Sequence, residues 1–410
     1  MRFLYSISIR LYAVLIKVAA LFNNKARLFS QGQRTVWQEL SEKLTGIENP
    51  IWFHFASLGE FEQGRSVLEA IKERYPEEQI VITFFSPSGY QVRKDTVLAD
   101  AVFYLPLDSQ KNAEKFLKQV NPKFAIFTKY EFWYHYFNEL NRRDIPLFLI
   151  SAIFRGDQIF FKPWGGFFRR ILFHVDYFFV QNKDSESLLR QIGIKQVGLS
   201  GDTRFDRVKR LREQITPIPL IESFVNDALV LVAGSSWAPD EKVLREVITD
   251  DAAWKLVIAP HEVDAQRISQ VKSYFNDAVL YSELKDTKET HSRVLIIDSI
   301  GILSSLYKLS DVSYVGGGFG VGIHNTLEAA TYGKPVVFGP NYYKFQEAKD
   351  LIEKGAAFSI ETAGELQEVL KELKNRPKYE RAASSAKEYV DNKAGATIVI
   401  LKYLEMNQLL

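Results

Sequence analysis

Cysteine is absent from this sequence of 410 residues. Its absence excludes disulfide bonds, thiolate metal ligands and a thiol nucleophile, and it fits a reducing compartment. An excess of one charge is also absent, because 52 lysine and arginine residues oppose 50 aspartate and glutamate residues, for a net charge of +2. The composition offers no general electrostatic basis for binding nucleic acid, and we predict no such partner.

A long uncharged apolar run is the third absence. Residues 1–22 are rich in aromatic and aliphatic side chains, but Arg2, Arg10 and Lys17 interrupt them. No charge-free stretch reaches the roughly 18 residues that a membrane-spanning helix needs, and no small-residue cleavage site of a secretory signal follows. We therefore expect neither a spanning helix nor export.

The same segment has the composition of an amphipathic helix that lies in the surface of an anionic bilayer. Its apolar side chains would insert while its cations reach toward lipid phosphates. An ordinary first helix packed on its own domain is the alternative. We predict a membrane-associating region over residues 1–34.

The overall composition is that of a soluble globular protein, with 46% hydrophobic and 25% charged residues. A chain of this length exceeds what one hydrophobic core serves, so we expect two domains. From residue 50 onward, short apolar runs alternate with helical patterns such as 61–74 and 112–120, which predicts parallel α/β sheets. The predicted strands are 51–56, 80–84, 101–105, 124–128, 146–150 and 177–181, then 228–233, 255–259, 294–298, 312–315 and 335–338.

A polar, proline-containing stretch separates the two series of strands and predicts a linker. The predicted parts are an N-terminal domain, 35–206, a linker, 207–226, a C-terminal domain, 227–395, and a C-terminal helix, 396–410, that packs back on the N-terminal domain. Open α/β sheets bind ligands at the carboxyl ends of their strands. The residues after each strand are therefore the candidates for function.

Two carboxylates follow predicted strands of the first domain. Ser57 and Glu60 have the spacing of a capping box, which would satisfy free helix amides, but a carboxylate in this place also suits a general base. Glu131 stands among aromatic residues, where a carboxylate is costly unless it is paired or used. At the domain junction, Arg204 either reaches a phosphate or carboxylate or is a solvated hinge residue.

A glycine-rich turn, 315–328, follows a strand of the second domain and precedes a helix. Its amides predict an anion site, although Asn325 and Glu328 can equally be an N-cap and its box partner. The turn fits neither the dinucleotide nor the P-loop fingerprint. His261 and His324 have no partner at metal-ligand spacing, so we expect no metal.

In order along the chain, these segments resemble the 3-deoxy-D-manno-octulosonic acid (Kdo) transferases of lipopolysaccharide inner-core assembly, glycosyltransferase family 30. The resemblance runs from about residue 52 to residue 360. Its carriers are WFHFASLGE (52–60), FSPSGY (85–90), YLPLD (104–108), YEFW (130–133), GDTRFD (201–206), VGGGFGVGIHNTLEAATYGKPVVFGP (315–340) and NYYKFQEA (341–348).

The resemblance implies a GT-B fold, in which two Rossmann-like domains face a central cleft. It implies an inverting enzyme that moves Kdo from CMP-Kdo to a lipid A precursor (lipid IVA) at the cytoplasmic face of the inner membrane, among inner-membrane lipids. It implies no cofactor beyond the donor substrate and no metal. Glu60 would be the general base, and Glu131 and Arg204 would stabilise the transition state. The CMP pocket would consist of Pro260, His261, Ile300, Gly301, Ile302, Asn325, Thr326, Leu327 and Glu328.

Three positions depart from similar enzymes, which usually have lysine at 204, arginine at 261 and glutamate at 302. Here these residues are Arg204, His261 and Ile302, so the nucleotide pocket is expected to be similar and not identical. The alternatives are another GT-B enzyme that uses a UDP-sugar, as a glycosyltransferase or epimerase, and a non-catalytic two-domain protein that binds a small anion.

Overall fold

A computed structural model describes residues 1–214, 216–284 and 291–410. The chain forms two compact units, which are Met1–Arg207 with Ala394–Leu410, and Val208–Lys393. We call them unit 1 and unit 2. Within the stretch predicted to be a linker, residues up to Glu213 and residues 219–225 are helical, and Ile215 lies outside the described residues.

Unit 1 contains a seven-stranded parallel sheet in the order β3-β2-β1-β4-β5-β6-β7. The central strands are buried on both faces, which explains why they are nearly continuous runs of apolar residues. In register, Ile51 pairs with Ile80 on one side and with Phe124 on the other. The strands are β1 Ile51–Phe55, β2 Ile80–Phe84, β3 Ala101–Tyr104, β4 Phe124–Thr128, β5 Leu147–Ala152, β6 Tyr177–Val180 and β7 Val197–Leu199.

Helices connect these strands and cover both faces of the sheet. They are α1 Arg2–Ala19, α2 Asn24–Lys43, α3 Leu58–Arg74, α4 Pro87–Arg93, α5 Gln110–Val120, α6 Tyr134–Arg142, α7 Gly166–Leu172 and α8 Lys183–Gln191, and a 3-10 turn spans Ile159–Phe161. Helix α9, Thr203–Glu213, begins in unit 1, and its residues from Val208 onward belong to unit 2. The last helix of the chain, α18 Ala396–Met406, also belongs to unit 1. Its Ile400, Leu401 and Leu404 are buried in the core of this unit.

Unit 2 repeats the architecture with seven parallel strands in the order β10-β11-β9-β8-β12-β13-β14. The strands are β8 Leu229–Ser236, β9 Trp254–Pro260, β10 Val279–Leu280, β11 Val294–Ile296, β12 Val312–Val315, β13 Val336–Phe338 and β14 Ala357–Ser359. The helices are α10 Pro219–Val225, α11 Ala238–Asp250, α12 Ala265–Tyr274, α13 Leu303–Leu309, α14 Leu327–Ala330, α15 Gln346–Glu353, α16 Ala363–Leu373 and α17 Arg376–Lys393.

The two parallel sheets confirm the predicted fold class of two Rossmann-like domains. Every predicted strand is present, and 80–84, 124–128 and 312–315 have the predicted bounds. The prediction lacked β7, β10 and β14. These strands have only two or three residues, and each contains partly or fully exposed positions, so they lack the apolar run that identifies a buried strand.

One face of helix α1 lies against the rest of unit 1. The Tyr5 hydroxyl donates a 2.5 Å hydrogen bond to Asp108, and Ser6 and Arg2 bond to His135 and Gln110. The opposite face is apolar and exposed, and no residue of α1 is buried. Within the described ranges, we find no helix with both the length and the apolar character to span a membrane.

The attachment of α1 depends on Asp108, a buried carboxylate that also accepts hydrogen bonds from the amides of His135 and Tyr136. Burial raises its pKa from 3.8 to about 6, and these hydrogen bonds only partly oppose the rise. An acid whose pKa is higher in the folded state stabilises that state fully below 3.8 and loses this contribution as the pH rises through about 6.

We predict that Asp108→Asn removes this pH dependence. As the pH rises from about 4 to about 7, the wild type should lose on the order of 3 kcal/mol of unfolding free energy relative to the variant. Urea unfolding followed by circular dichroism at several pH values measures the difference. Parallel pH profiles for the two proteins would contradict the assignment.

Candidate functional site

Glu60 lies in the first turn of α3, directly after β1. The hydroxyl of Ser57 donates a hydrogen bond to the Glu60 carboxylate, and Ser57 makes no side-chain bond to a helix amide. The two residues are therefore bonded to each other and do not form the capping box that their spacing allows. Ser57 therefore orients the Glu60 carboxylate, and Glu60 remains partly exposed.

Glu131 follows β4, the neighbour of β1 in the sheet. Lys129, the first residue after β4 and two residues before Glu131, has φ 67°, a left-handed conformation that is uncommon for a residue with a side chain. The Glu131 carboxylate accepts a 2.8 Å bond from Trp133 Nε1 and lies 3.4 Å from His54 Nε2. Ring nitrogens of His54 and Trp133 therefore pair this carboxylate.

A buried relay orients His54. Trp52 Nε1 donates to the Thr83 hydroxyl at 2.8 Å, and this hydroxyl lies 2.8 Å from His54 Nδ1. If the hydroxyl donates to Nδ1, the His54 proton is on Nε2 and points at Glu131. Polar residues inside the buried strands β1 and β2 thus fix the carboxylate that follows β4.

Arg204 is the second residue of α9 and is held by a carboxylate of its own motif. Its Nε and Nη2 donate to Asp202 Oδ2 at 2.9 and 2.7 Å. The other oxygen of Asp202 accepts from Gln63, which lies one helical turn after Glu60 on α3. The Arg204 guanidinium is therefore preoriented, and its side chain is 31% exposed.

The structure thus collects all three predicted catalytic residues in unit 1. Glu60 and Glu131 follow adjacent, paired strands and share one edge of the sheet. Arg204 is connected to the Glu60 helix through Asp202 and Gln63.

Asp206, from the same motif as Arg204, has a structural role that the sequence did not reveal. Its carboxylate accepts hydrogen bonds from the amides of Gly395 and Thr397 at 2.6 and 3.0 Å. Thr397 also donates to the hydroxyl of Ser66 on α3. Asp206 therefore caps α18 and fastens the end of the chain to unit 1.

The glycine-rich turn of unit 2 is tightly packed, and most of its glycine amides donate hydrogen bonds within the protein. Gly316 and Gly317 donate to the Gly234 carbonyl and the Asp240 carboxylate, and Gly320 and Gly322 both donate to the Gly317 carbonyl. Four of the five glycine amides are therefore occupied by protein oxygens. These four amides are not free to bind a phosphate, and the residues at the end of the turn, 325–328, are held by separate contacts.

At that end, Asn325 bonds through its side chain to the amide of Leu327 and to the Glu328 carboxylate, at 3.1 Å each. The helix that follows, α14, has only four residues. Thr326 is fully buried, and its hydroxyl has no hydrogen-bond partner within the described part of the chain. The Asn325 side chain therefore holds both the first helix amide and Glu328, as a local cap does.

Pro260 ends β9, and His261 follows it in a stack of three aromatic rings. The His261 ring lies 4.7 Å from Trp237 and 4.4 Å from His324, with interplanar angles of 28° and 25°. Trp237 Nε1 also donates to His324 Nε2 at 3.1 Å. Burial, and secondarily His261, lowers the pKa of His324 to about 4, so this ring is neutral near pH 7.

Sequence patterns did not identify Trp237, which lies between the end of β8 and the start of α11. Strand β8 lies between β9 and β12 in the sheet, and only this order brings Trp237 beside the residues that follow those two strands. The remaining predicted pocket residues form one turn before α13. Ile300 is 84% exposed, Gly301 has φ 93°, and Ile302 is the N-cap of α13. No cluster of three metal-binding side chains occurs in the described ranges of the chain.

Comparison with known proteins finds several Kdo transferases among the relatives of this chain. Residues 27–207 match the family described as 3-deoxy-D-manno-octulosonic-acid transferase (kdotransferase). The 3-deoxy-D-manno-octulosonic acid transferase of Aquifex aeolicus is 27% identical over 340 residues, which is 81% of this chain and 88% of that protein. The transferase of the same name from Rickettsia typhi is 25% identical over 387 residues, 90% of this chain and 79% of that protein.

Solved structures share the fold at low identity. UDP-GlcNAc 2-epimerase from Neisseria meningitidis superimposes with a TM-score of 0.62 at 16% identity, over 87% of this chain and all (100%) of that chain. Acinetobacter baumannii MurG gives a TM-score of 0.54 at 13% identity, over 87% and 99% of the two chains. These likenesses confirm a GT-B-like fold with two parallel sheets.

We predict that Gly316→Ala strongly destabilises unit 2. A Cβ at this position would lie 2.3 Å from the Ser235 carbonyl oxygen and 2.6 Å from Ser236 Cα. Both neighbours are backbone atoms, which have less freedom to move than the end of a side chain. The expected loss is about 1–3 kcal/mol, seen as a lower midpoint in calorimetric unfolding. Gly364→Ala is the control, because its nearest neighbour is 3.9 Å away. Equal midpoints for the two variants would disprove the close packing of the turn.

Proposed function

Given that this chain belongs to the family of the 3-deoxy-D-manno-octulosonic acid (Kdo) transferases, we propose that it transfers Kdo from CMP-Kdo to a lipid A precursor in lipopolysaccharide synthesis. One observation carries the proposal. The family match, 27–207, contains Glu60, Glu131 and Arg204, and unit 1 holds all three with defined hydrogen-bond partners.

Glu60 is the proposed general base. Its carboxylate takes the proton of an acceptor sugar hydroxyl, and the resulting oxygen attacks the anomeric carbon of Kdo. The bond from that carbon to the CMP phosphate oxygen breaks, so CMP leaves with the bonding electron pair. A single displacement inverts the anomeric configuration. The hydrogen bond from Ser57 supports this role, because it holds the carboxylate in one orientation while the residue stays partly exposed.

Arg204 and Glu131 are the proposed groups that stabilise the transition state. The guanidinium offers fixed positive charge for the charge that develops on the phosphate, and Asp202 preorients it. Glu131 offers negative charge for the cationic character of the sugar carbon, and His54 and Trp133 fix its position. CMP leaves as a monophosphate ester, so one cation with polar hydrogens can serve, and the proposal includes no metal and no cofactor.

The proposed CMP pocket lies in unit 2 at the carboxyl ends of its strands. It comprises Pro260 with the ring of His261, the turn 300–302 and the segment 325–328. The buried hydroxyl of Thr326, which has no partner among the described residues, supports a polar ligand at this segment.

We propose that the protein associates with the cytoplasmic surface of the inner membrane, and the exposed apolar face of α1 supports this location. Phe3, Leu11 and Leu15 are 74%, 57% and 58% exposed, and burying such side chains in the interfacial region of a bilayer is favourable. A lipid-borne acceptor would be reached from there.

The test of catalysis is mass spectrometry of a tetraacylated lipid A precursor incubated with enzyme and CMP-Kdo generated in situ. We expect mass additions of one or more Kdo units with the wild type. Glu60→Gln should slow them by about 10²- to 10⁴-fold, as expected for a lost general base.

Glu77→Gln is the matched control, because Glu77 is an exposed carboxylate just beyond the same helix and should not affect the rate. A Glu60→Gln protein with wild-type rates would disprove the base. Absence of any Kdo addition by the folded wild type would disprove the transferase.

A further inference from the structure

A row of polar and basic residues on α1 lies beside its apolar face. Residues that repeat every three or four positions share one side of a helix. The exposed apolar side carries Phe3, Ile7, Leu11, Val14 and Val18. The adjacent row, shifted by one residue, carries Arg2, Ser6, Arg10, Ala13 and Lys17. The basic row therefore borders the apolar face along the whole helix.

Two hollows open along this basic row. The larger, of about 560 Å³, lies between α1 and the residues that follow β3, and includes Ser109, Lys111 and His135. The smaller, of about 250 Å³, lies between α1 and α2, and includes Arg34 and Trp37. Ala13, Leu107 and Asn112 line both hollows, so they form one continuous depression, which we call the α1 groove.

The α1 groove is strongly cationic. Five basic residues line it against a single carboxylate: they are Arg2, Arg10, Lys17, Arg34 and Lys111, and the carboxylate is Glu114. Within the ranges that the structure describes, the structure shows no ion pair for any of the five cations, and Arg2 bonds to the neutral Gln110. His135 adds no charge, because burial, and secondarily Arg2, lowers its pKa to about 4.

We propose that the α1 groove binds the phosphate-bearing headgroup of an anionic membrane phospholipid. This proposal rests on the proposed membrane association of α1. When the apolar face is inserted in a bilayer, the basic row and Lys111 lie at the level of the lipid phosphates. Guanidinium and ammonium groups are the usual partners of a phosphate.

The size and position of the groove favour a bilayer lipid over a free anion. The larger hollow falls in the volume range of small-molecule sites and far exceeds what one phosphate ion fills. The basic row that lines the groove borders the exposed apolar row of α1, and the acyl chains of a bound lipid would contact that apolar row. The groove would thereby fix how unit 1 is oriented on the membrane.

The experiment measures binding of the full chain to vesicles of phosphatidylglycerol with phosphatidylcholine, and to vesicles of phosphatidylcholine alone. The groove variant is Arg10→Gln with Lys111→Gln. Each cation near an anionic surface contributes about fivefold to partitioning, so we expect about 25-fold weaker binding to the anionic vesicles.

The charge-matched control is Lys118→Gln with Lys195→Gln, two exposed lysines of unit 1 that do not line the groove. We expect it to change binding by less than about twofold, because charges beyond a Debye length of the lipid are screened. Equal losses for the two pairs would show attraction by surface charge alone and overturn the groove.

A second pair separates failure of the groove from failure of membrane association. Leu11→Asp should weaken binding to both kinds of vesicle, and Val97→Asp, at an exposed apolar position elsewhere in unit 1, should not. If the wild type binds neither vesicle, membrane association itself is wrong and the groove proposal falls with it. If Leu11→Asp weakens binding and the groove variant does not, the groove alone is wrong.

Two further arms identify the ligand. Inorganic phosphate at millimolar concentration should not displace the protein from anionic vesicles, and displacement would mean that the groove holds a free anion. Transfer to a detergent-dispersed acceptor should show the same KM for the groove variant and the wild type. A raised KM for the groove variant alone would mean that the groove binds the acceptor and would overturn the assignment to a bilayer phospholipid.

Discussion

Burial of both faces of a parallel sheet is the constraint on which the site depends. Strands β1 and β2 are fully buried, so any polar side chain within them must find a partner inside the protein. Trp52, Thr83 and His54 meet this requirement by bonding in sequence, and the last member of the relay reaches Glu131 at the end of the next strand. The interior of the sheet therefore sets the position of a carboxylate at its edge.

The same constraint gathers the other site residues. Parallel strands all end at one edge, so residues distant in sequence, such as Glu60 and Glu131, follow paired strands and come to the same side of unit 1. In unit 2 it brings Trp237, His261 and His324 into one stack after three different strands. Tight backbone contacts at Gly316 then fix the glycine-rich turn beside that stack.

Helix α1 is attached to the rest of unit 1 on one side and presents apolar and basic side chains on its other sides. Tyr5 holds it to unit 1 through a buried carboxylate, Asp108, whose charge is costly to keep away from water. The rest of its surface divides into an apolar row, which is exposed, and a basic row, which lines the α1 groove. A segment with this division suits the boundary between water and lipid better than either phase.

Periodicity and composition predicted the α/β class and the long strands, because buried parallel strands are apolar runs that stand out from helices. They also placed Glu60 and Glu131 at strand ends and Arg204 at the junction of the two domains. They did not reveal contacts that depend on the folded sheet, such as the Trp237 stack or the capping of α18 by Asp206. The spacing of Ser57 and Glu60 was compatible with a capping box, and only the structure shows that the two side chains bond to each other. The glycine count suggested open amides, which internal hydrogen bonds instead occupy.

The proposed transfer from CMP-Kdo requires that unit 2 bind CMP in preference to UDP. Isothermal titration calorimetry of the full chain with CMP and with UDP, in parallel with an Asn325→Ala variant, addresses it directly. We predict that the wild type binds CMP, that UDP binds at least tenfold more weakly, and that Asn325→Ala weakens CMP binding. Tighter binding of UDP than of CMP would contradict a CMP-Kdo donor and would assign the chain to the chemistry of UDP-sugars.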